Sequence, residues 1–227
     1  MITTVVFDLD DTLYDEIDYC RSGFLSVSWF LARLSDIPCC DDVFACLWRH
    51  FTNGNRTETF NAALDDLGIA YDERLIAQLV EVYRCHRPAI ELPQDSRDVL
   101  ETLKATYTLA LLTDGFLPAQ RLKVQALGIE QYFQAIVYTE ELGREFWKPS
   151  PAGFERLIET LDVPAAQMAY VGDNEGKDFI APNRLGMFTV QVLRPARLHT
   201  GGGPRPDAPA KLQIDRLNEL SAVLRRA

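Results

Sequence analysis

The sequence predicts an α/β protein: a doubly wound, Rossmann-like parallel sheet core with an all-helical domain inserted near its start. Three observations point there. The apolar run Val5-Val6-Phe7 lacks polar alternation, as suits a strand buried on both faces of a parallel sheet. Beyond residue 93, strands and helices alternate, which implies crossover connections between parallel neighbours. Between these regions, from about 15 to 88, the chain carries helical periodicity and no convincing strand. The expected division is therefore 1–14 with 93–227 for the core, and 15–92 for the helical insertion.

The first strand runs into Asp8-Leu9-Asp10-Asp11-Thr12-Leu13. Alternate side chains of an extended strand share a face, so Asp8 and Asp10 can address one site. Carboxylates that close repel each other unless a cation or a shared proton relieves them. Ligands of such sheets bind beyond the carboxyl ends of the strands, where this pair falls. The pair reads as a divalent-metal site with a carboxylate free to attack.

Ile17, Cys20, Phe24, Val27, Leu31 and Leu34 then follow the spacing of an amphipathic helix. Further helices are expected over 41–52, 57–68 and 72–86, the last capped by Asp72, with Leu75, Leu79, Val82 and Tyr83 inward. Phe24, Trp29, Phe30, Trp48 and Phe51 read as the core of this block. Arg56, in a loop joining two of its helices, reads first as a surface arginine and second as a candidate substrate contact. Pro88 and Pro93 mark the return linker, because each proline restricts its predecessor and breaks helix.

In the second part, a helix near 96–105 precedes a strand, Thr108–Leu112, that ends in Thr113-Asp114-Gly115. A helix over 118–127 stops at Gly128, and the strand Ala135–Thr139 leads to a loop holding Lys148-Pro149. Ser150 and Pro151 are expected as cap and first residue of the next helix. The strand Met168–Val171 ends in Gly172-Asp173-Asn174, a helix from Asp178 to Leu185 closes at Gly186, and the strand Phe188–Leu193 follows. The Pro/Gly-rich stretch 194–210 reads as a loop. Its Gly201-Gly202-Gly203 is no phosphate loop, lacking the Gly-Lys-Ser/Thr and the helix that one needs. A short strand, Leu212–Ile214, and a helix over 216–226 finish the chain.

A formal charge of −10 disfavours nucleic acid or an anionic membrane as partner, yet leaves room for a small anionic substrate beside a local cation. No apolar segment approaches a membrane span, and the N-terminus enters a strand without a signal-peptide pattern, so a cytoplasmic protein is expected. The five cysteines (Cys20, Cys39, Cys40, Cys46, Cys85) are odd in number, lack metal-site spacing, and read as reduced thiols. His50, His86 and His199 share no metal-ligand spacing. The sequence leaves the oligomeric state unknown.

Four sites thus fall at strand ends or in the loops after them: Asp8/Asp10, Thr113, Lys148 and Asp173/Asp178. Their order, Phe-Asp-x-Asp-x-Thr-Leu, Leu-Leu-Thr-Asp-Gly, Lys-Pro and Gly-Asp-Asn-x-x-x-x-Asp, resembles the four motifs of the haloacid dehalogenase-like superfamily. Helices between the first and second motifs resemble the cap of its phosphatase branch. That resemblance implies a Mg²⁺-dependent phosphatase acting on a small phosphorylated metabolite through an aspartyl-phosphate. It implies Asp8 as nucleophile and Asp10 as proton donor to the leaving oxygen and then base for water. Mg²⁺ would be held by the Asp8 carboxylate, the Asp10 backbone carbonyl and Asp173. The Thr113 hydroxyl, with the backbone amide of Asp114, would bind a phosphoryl oxygen, and Lys148 would neutralise charge on Asp8 and the phosphoryl group. Asp178 would orient Lys148 or a metal-bound water. The helical insertion would set substrate preference. Other readings stay open. A phosphomutase would pass the phosphoryl group to a second substrate. A 2-haloacid dehalogenase needs neither metal nor second aspartate, so Asp10, Asp173 and Asp178 argue against it. A non-enzymatic binding module would have lost turnover while keeping every motif side chain.

Overall fold

The computed structural model describes residues 1–34, 39–200 and 208–227, so Gly201-Gly202-Gly203 lies outside the described residues. Six strands, β1 (Thr4–Phe7), β2 (Thr108–Thr113), β3 (Ala135–Tyr138), β4 (Met168–Gly172), β5 (Phe188–Val192) and β6 (Leu212–Ile214), form one sheet. Their spatial order is β3-β2-β1-β4-β5-β6, and every neighbouring pair is parallel. Strand order reverses between β1 and β4, where Phe7 lies level with Val171. Such a switch point opens a crevice beyond the strand ends. Asp8 follows β1 there, and Asp173 follows β4.

The chain divides into two compact units, Met1–Ile17 with Glu91–Ala227, and Asp18–Ile90. In the sheet-bearing unit, every residue of β1 is buried. One sheet face carries Val6, Ala110, Leu112 and Tyr170 against Phe154 and Leu157 of α7 (Ala152–Leu161), with Phe179 beside them. Phe154 meets the Tyr170 ring edge-on, centroids 4.9 Å apart. The flanking helices are α5 (Gln94–Lys104), α6 (Ala119–Leu127), α7, α8 (Ile180–Leu185) and α9 (Leu220–Leu224). Gly128 and Gly186 end α6 and α8 at φ of 64° and 85°, a left-handed conformation that a side chain would strain.

The other unit is built from α1 (Glu16–Leu31, whose first two residues belong to the sheet-bearing unit), α2 (Cys40–Thr52), α3 (Thr59–Asp66) and α4 (Glu73–Cys85). Asp72 caps α4, its Oδ1 accepting from the Leu75 amide at 2.9 Å. Phe24 is the centre of an aromatic cluster, with ring centroids 5.2 Å from Phe51, 5.3 Å from Tyr83, 6.1 Å from Phe60 and 6.4 Å from Trp48. Gly23 permits this packing: a Cβ there would lie 2.5 Å from the Tyr83 ring.

The structure corrects several local expectations. Trp29, expected in the core, is 61% exposed, and Leu34 lies past the end of α1 and is 40% exposed. The α7 helix starts at Ala152 with Pro151 as its cap, one residue later than expected, and Ser150 Oγ accepts from the Ala152 amide at 3.4 Å. Residues 175–179 form turns, so α8 begins at Ile180. There the Asp178 side chain engages the chain behind it instead of opening a helix. The last element is a 3₁₀ turn, Leu217–Glu219, followed by the short α9.

Phe154 is fully buried, so Phe154→Ala leaves a cavity against β2 and β4. We expect a loss of about 3–5 kcal/mol in unfolding free energy, measured by urea denaturation.

Candidate active site

The site starts with Lys148. Its ammonium is buried and donates to Asp8 Oδ1 at 2.7 Å, Asp178 Oδ1 at 2.8 Å and the Tyr170 hydroxyl oxygen at 3.0 Å. Three acceptors satisfy all three N–H bonds. Burial alone would lower the lysine, but Asp178 and Asp8 more than offset it and hold its pKa well above the usual value. Asp178 is fully buried as well, yet Lys148, Lys177 and the Asn174 amide keep its carboxyl below the usual range. That amide donates to Asp178 Oδ2 at 2.9 Å. Gly172 makes room for the carboxylate: a Cβ would stand 2.8 Å from Asp178 Oδ2.

Asp8, Asp173 and Asp178 each place a carboxylate oxygen within 4.8 Å of the others. Burial raises Asp8 to about 6, against the pull of Lys148. Asp173 is raised to about 9 by burial and by the charges of Asp178 and Asp8. Its Oδ2 is buried without a hydrogen-bond partner. An orphaned carboxylate oxygen beside two further carboxylates fits a hard cation, for which oxygen donors are the natural ligands. Both oxygens of Asp178 already accept hydrogen bonds, which leaves Asp8 and Asp173 as the better-placed donors. Among the described residues, Cys46, His50 and Asp66 form another close group. There the Arg49 guanidinium donates to Asp66 at 2.6 Å and to Cys46 Sγ at 3.4 Å, filling the place a cation would take.

Asp10 lives in a different environment. It accepts from Lys123 Nζ at 2.8 Å and the Tyr14 hydroxyl at 2.5 Å on Oδ1, and from Gln120 Nε2 at 2.8 Å on Oδ2. Burial would raise its carboxyl, but Lys123 and these hydrogen bonds outweigh burial and hold it below the usual range. The same Gln120 nitrogen lies 2.6 Å from Thr113 Oγ1 at the end of β2. Asp114 turns to the scaffold: Oδ1 accepts from the Thr139 hydroxyl at 2.7 Å, and Oδ2 from the Lys148 backbone amide at 3.2 Å. A cleft of about 280 Å³ is lined by Asp8, Asp10, Asp114, Lys148, Asp173 and Lys177, among others.

Asp8, Asp10, Thr113, Asp114, Lys148, Asp173 and Asp178 therefore converge at the ends of β1, β2 and β4 and the loops after them. Arg56 belongs to the helical unit, exposed, its guanidinium 5.6 Å from the centroid of the Phe51 ring. Sequence reasoning missed Tyr14, Gln120, Lys123 and Tyr170, all of which hold site carboxylates or the lysine. One signal was available for two of them: Gln120 and Lys123 share the inner stripe of α6 with Ala119, Val124 and Leu127, where polar side chains need buried partners.

Comparison with known proteins agrees with this geometry. A family model described as haloacid dehalogenase-like hydrolase matches residues 2–186. The chain is 30% identical to the glyceraldehyde 3-phosphate phosphatase of Methanopyrus kandleri, over 99% of this chain and 98% of that protein. It is 28% identical to the N-acylneuraminate-9-phosphatase of Rattus norvegicus, over 98% of this chain and 94% of that one. Among solved structures, the 2-haloacid dehalogenase of Pseudomonas syringae pv. Tomato DC3000 superposes with a TM-score of 0.67 at 26% identity, covering 100% of this chain and 99% of that one. With its motif residues gathered at one switch point and its family model spanning most of its length, the chain belongs to the haloacid dehalogenase-like hydrolases.

Proposed function

We propose that this hydrolase is a Mg²⁺-dependent phosphatase that releases phosphate from a small phosphorylated metabolite through an aspartyl-phosphate on Asp8. The observation that carries the reading is geometric: the Asp8 carboxylate, the buried Lys148 ammonium and the partnerless Asp173 oxygen meet at one switch point. Asp8 and Asp10 have separate ammonium partners there, Lys148 and Lys123, which lets one attack while the other handles protons. Relatives named as phosphatases along nearly the whole chain support the same reading.

An Asp8 oxygen attacks phosphorus, and the bond from phosphorus to the leaving oxygen breaks as that oxygen takes a proton from Asp10. In the second half, a water gives its proton to Asp10 and attacks the aspartyl-phosphate, which releases phosphate and restores the Asp8 carboxylate. The free site serves the second half directly, because Asp10 starts ionised there; for the first half it must first take up a proton. Lys148 stays charged throughout and offsets negative charge on Asp8 and the phosphoryl oxygens. Thr113 offers a hydroxyl, and Asp114 its amide, to a phosphoryl oxygen. Asp8 and Asp173, with the Asp10 backbone carbonyl, would hold Mg²⁺, while Asp178 keeps Lys148 oriented. When bound, the ion supplies charge that relieves repulsion between the phosphoryl dianion and the attacking carboxylate.

Residues 15–92 are assigned to substrate choice, as a cap with Arg56 as a candidate contact. No helix among the described residues is long and apolar enough to cross a membrane, and all five cysteines are free thiols. The thiols suit a reducing compartment, and we place the enzyme in the cytoplasm.

Asp8→Asn should lower hydrolysis of an aryl phosphate by more than about a thousandfold with an unchanged circular dichroism spectrum; near-normal turnover would overturn the mechanism. A second expectation concerns Asp173, whose carboxyl is raised to about 9 on folding. Between the ordinary carboxyl value and that one, the native state binds more protons than the unfolded chain, so this group costs stability increasingly as pH rises. Metal-free Asp173→Asn should therefore melt above the unaltered protein, by more at pH 8 than at pH 5. Millimolar Mg²⁺ should raise the melting temperature of the unaltered protein and not that of the variant, as read by calorimetry.

A further inference from the structure

We propose that Gln120 is a positioning residue that fixes the direction of the Thr113 hydroxyl, so that its proton points to the ligand. This rests on the phosphatase reading above. Gln120 is 2% exposed, and its amide nitrogen lies 2.8 Å from Asp10 Oδ2 and 2.6 Å from Thr113 Oγ1. Its orientation is set by its neighbours. An ionised carboxylate can only accept, and Lys123 stands on the other oxygen of Asp10, so the Gln120 terminus facing Asp10 is the NH₂ group. The two N–H bonds of that group then serve Asp10 and Thr113. Thr113 Oγ1 is thereby an acceptor toward the protein, and its own proton is left for a partner elsewhere. Among the described residues that proton finds the Asp114 carbonyl, at a long 3.4 Å. A phosphoryl oxygen is a far stronger acceptor.

Gly115 is the second observation. It adopts φ of 138°, and a Cβ there would lie 2.8 Å from Gln120 Cδ. The glycine after Thr113-Asp114 thus admits the amide to its bridging place. The chain of donors runs from Lys123 to Asp10, and from Gln120 to both Asp10 and Thr113. One glutamine couples the carboxylate that handles protons to the hydroxyl that holds the phosphoryl group.

The test reverses the polarity at constant shape. Gln120→Glu replaces the donor with an acceptor, which turns the Thr113 proton inward and repels Asp10. Gln120→Ala removes the donor from both Asp10 and Thr113, adds no acceptor, and lets the hydroxyl rotate. Measured on an aryl phosphate with Mg²⁺, kcat should fall roughly tenfold for Gln120→Ala and roughly a hundredfold or more for Gln120→Glu. Both variants are checked by circular dichroism for an unchanged fold at the assay temperature. In a Thr113→Val background, where no hydroxyl remains to orient, Gln120→Ala should cost less than about threefold. An isosteric Gln120→Glu that works better than Gln120→Ala would overturn the proposal, as would equal losses from Gln120→Ala with and without Thr113. If Gln120→Glu does not fold, the double-variant comparison alone decides. Absence of phosphate release by the unaltered protein from any phosphomonoester would instead defeat the phosphatase reading, a distinct outcome.

Discussion

The ammonium of Lys148 is the interaction on which the site depends. It lies at the ends of β1 and β4, bonded to Asp8 and Asp178 and buried at the wall of the cleft. Removing one partner from such a buried group leaves an uncompensated charge, which costs several kcal/mol as an order of magnitude. The lysine is therefore fixed, and it fixes both carboxylates. Its single charge does not balance them, because Asp8, Asp173 and Asp178 would bring three negative charges to one cluster. The Lys177 ammonium also acts on all three, yet the carboxylates still outnumber the cations. The excess shows itself in the raised Asp8 and Asp173 carboxyls and in the partnerless Asp173 oxygen. A hard cation relieves that excess and takes oxygen donors by preference.

The sheet was largely legible because strand burial leaves a simple mark. The apolar runs at Val5–Phe7, Leu109–Leu112 and Met168–Val171 can be read as strands without knowing their neighbours, and each ends in the polar residues that build the site. The site residues on those strand ends were legible for the same reason: position along a strand fixes where the next side chain emerges. Positions on helices were harder. Whether Gln120 and Lys123 face inward depends on the rotational phase of α6, which neighbouring apolar residues bias without determining. Tyr170 looked like any strand aromatic, since nothing in its local sequence distinguishes a hydroxyl under Lys148 from one buried at a sheet edge. Trp29 failed in the opposite direction. Its size suggested the core, but the buried face of α1 runs through Cys20, Phe24, Val27 and Leu31, and Trp29 lies off that stripe.

Neighbouring acids in the sequence come to different ends because the backbone changes direction beneath them. Asp8 still follows the strand, its amide donating to the Val171 carbonyl at 2.8 Å, and its side chain meets Lys148. Two residues on, Asp10 meets an altogether different set of donors from α6 and Tyr14. That separation lets one short segment hold an attacking carboxylate and a proton-handling one without their sharing a charge partner. Strand alternation alone predicted a common direction for the pair, not separate charge partners. The difference is tertiary, supplied by a lysine on a loop for one and a lysine on a helix for the other.

Asp11 does something else again. It sits at φ of 54°, in the left-handed region that aspartate tolerates better than most residues, and so breaks the alternation that Asp8 and Asp10 share. Its carboxylate accepts from the Glu16 amide at 2.9 Å and from the Leu198 amide at 2.6 Å. The first bond sets the start of α1, and the second ties down the segment after β5. A carboxylate fully engaged by two backbone amides from separate parts of the chain is a brace, and its reach explains why the acids cannot be read as one cluster. Chemistry falls to Asp8 and Asp10, and Asp11 holds the loops around them.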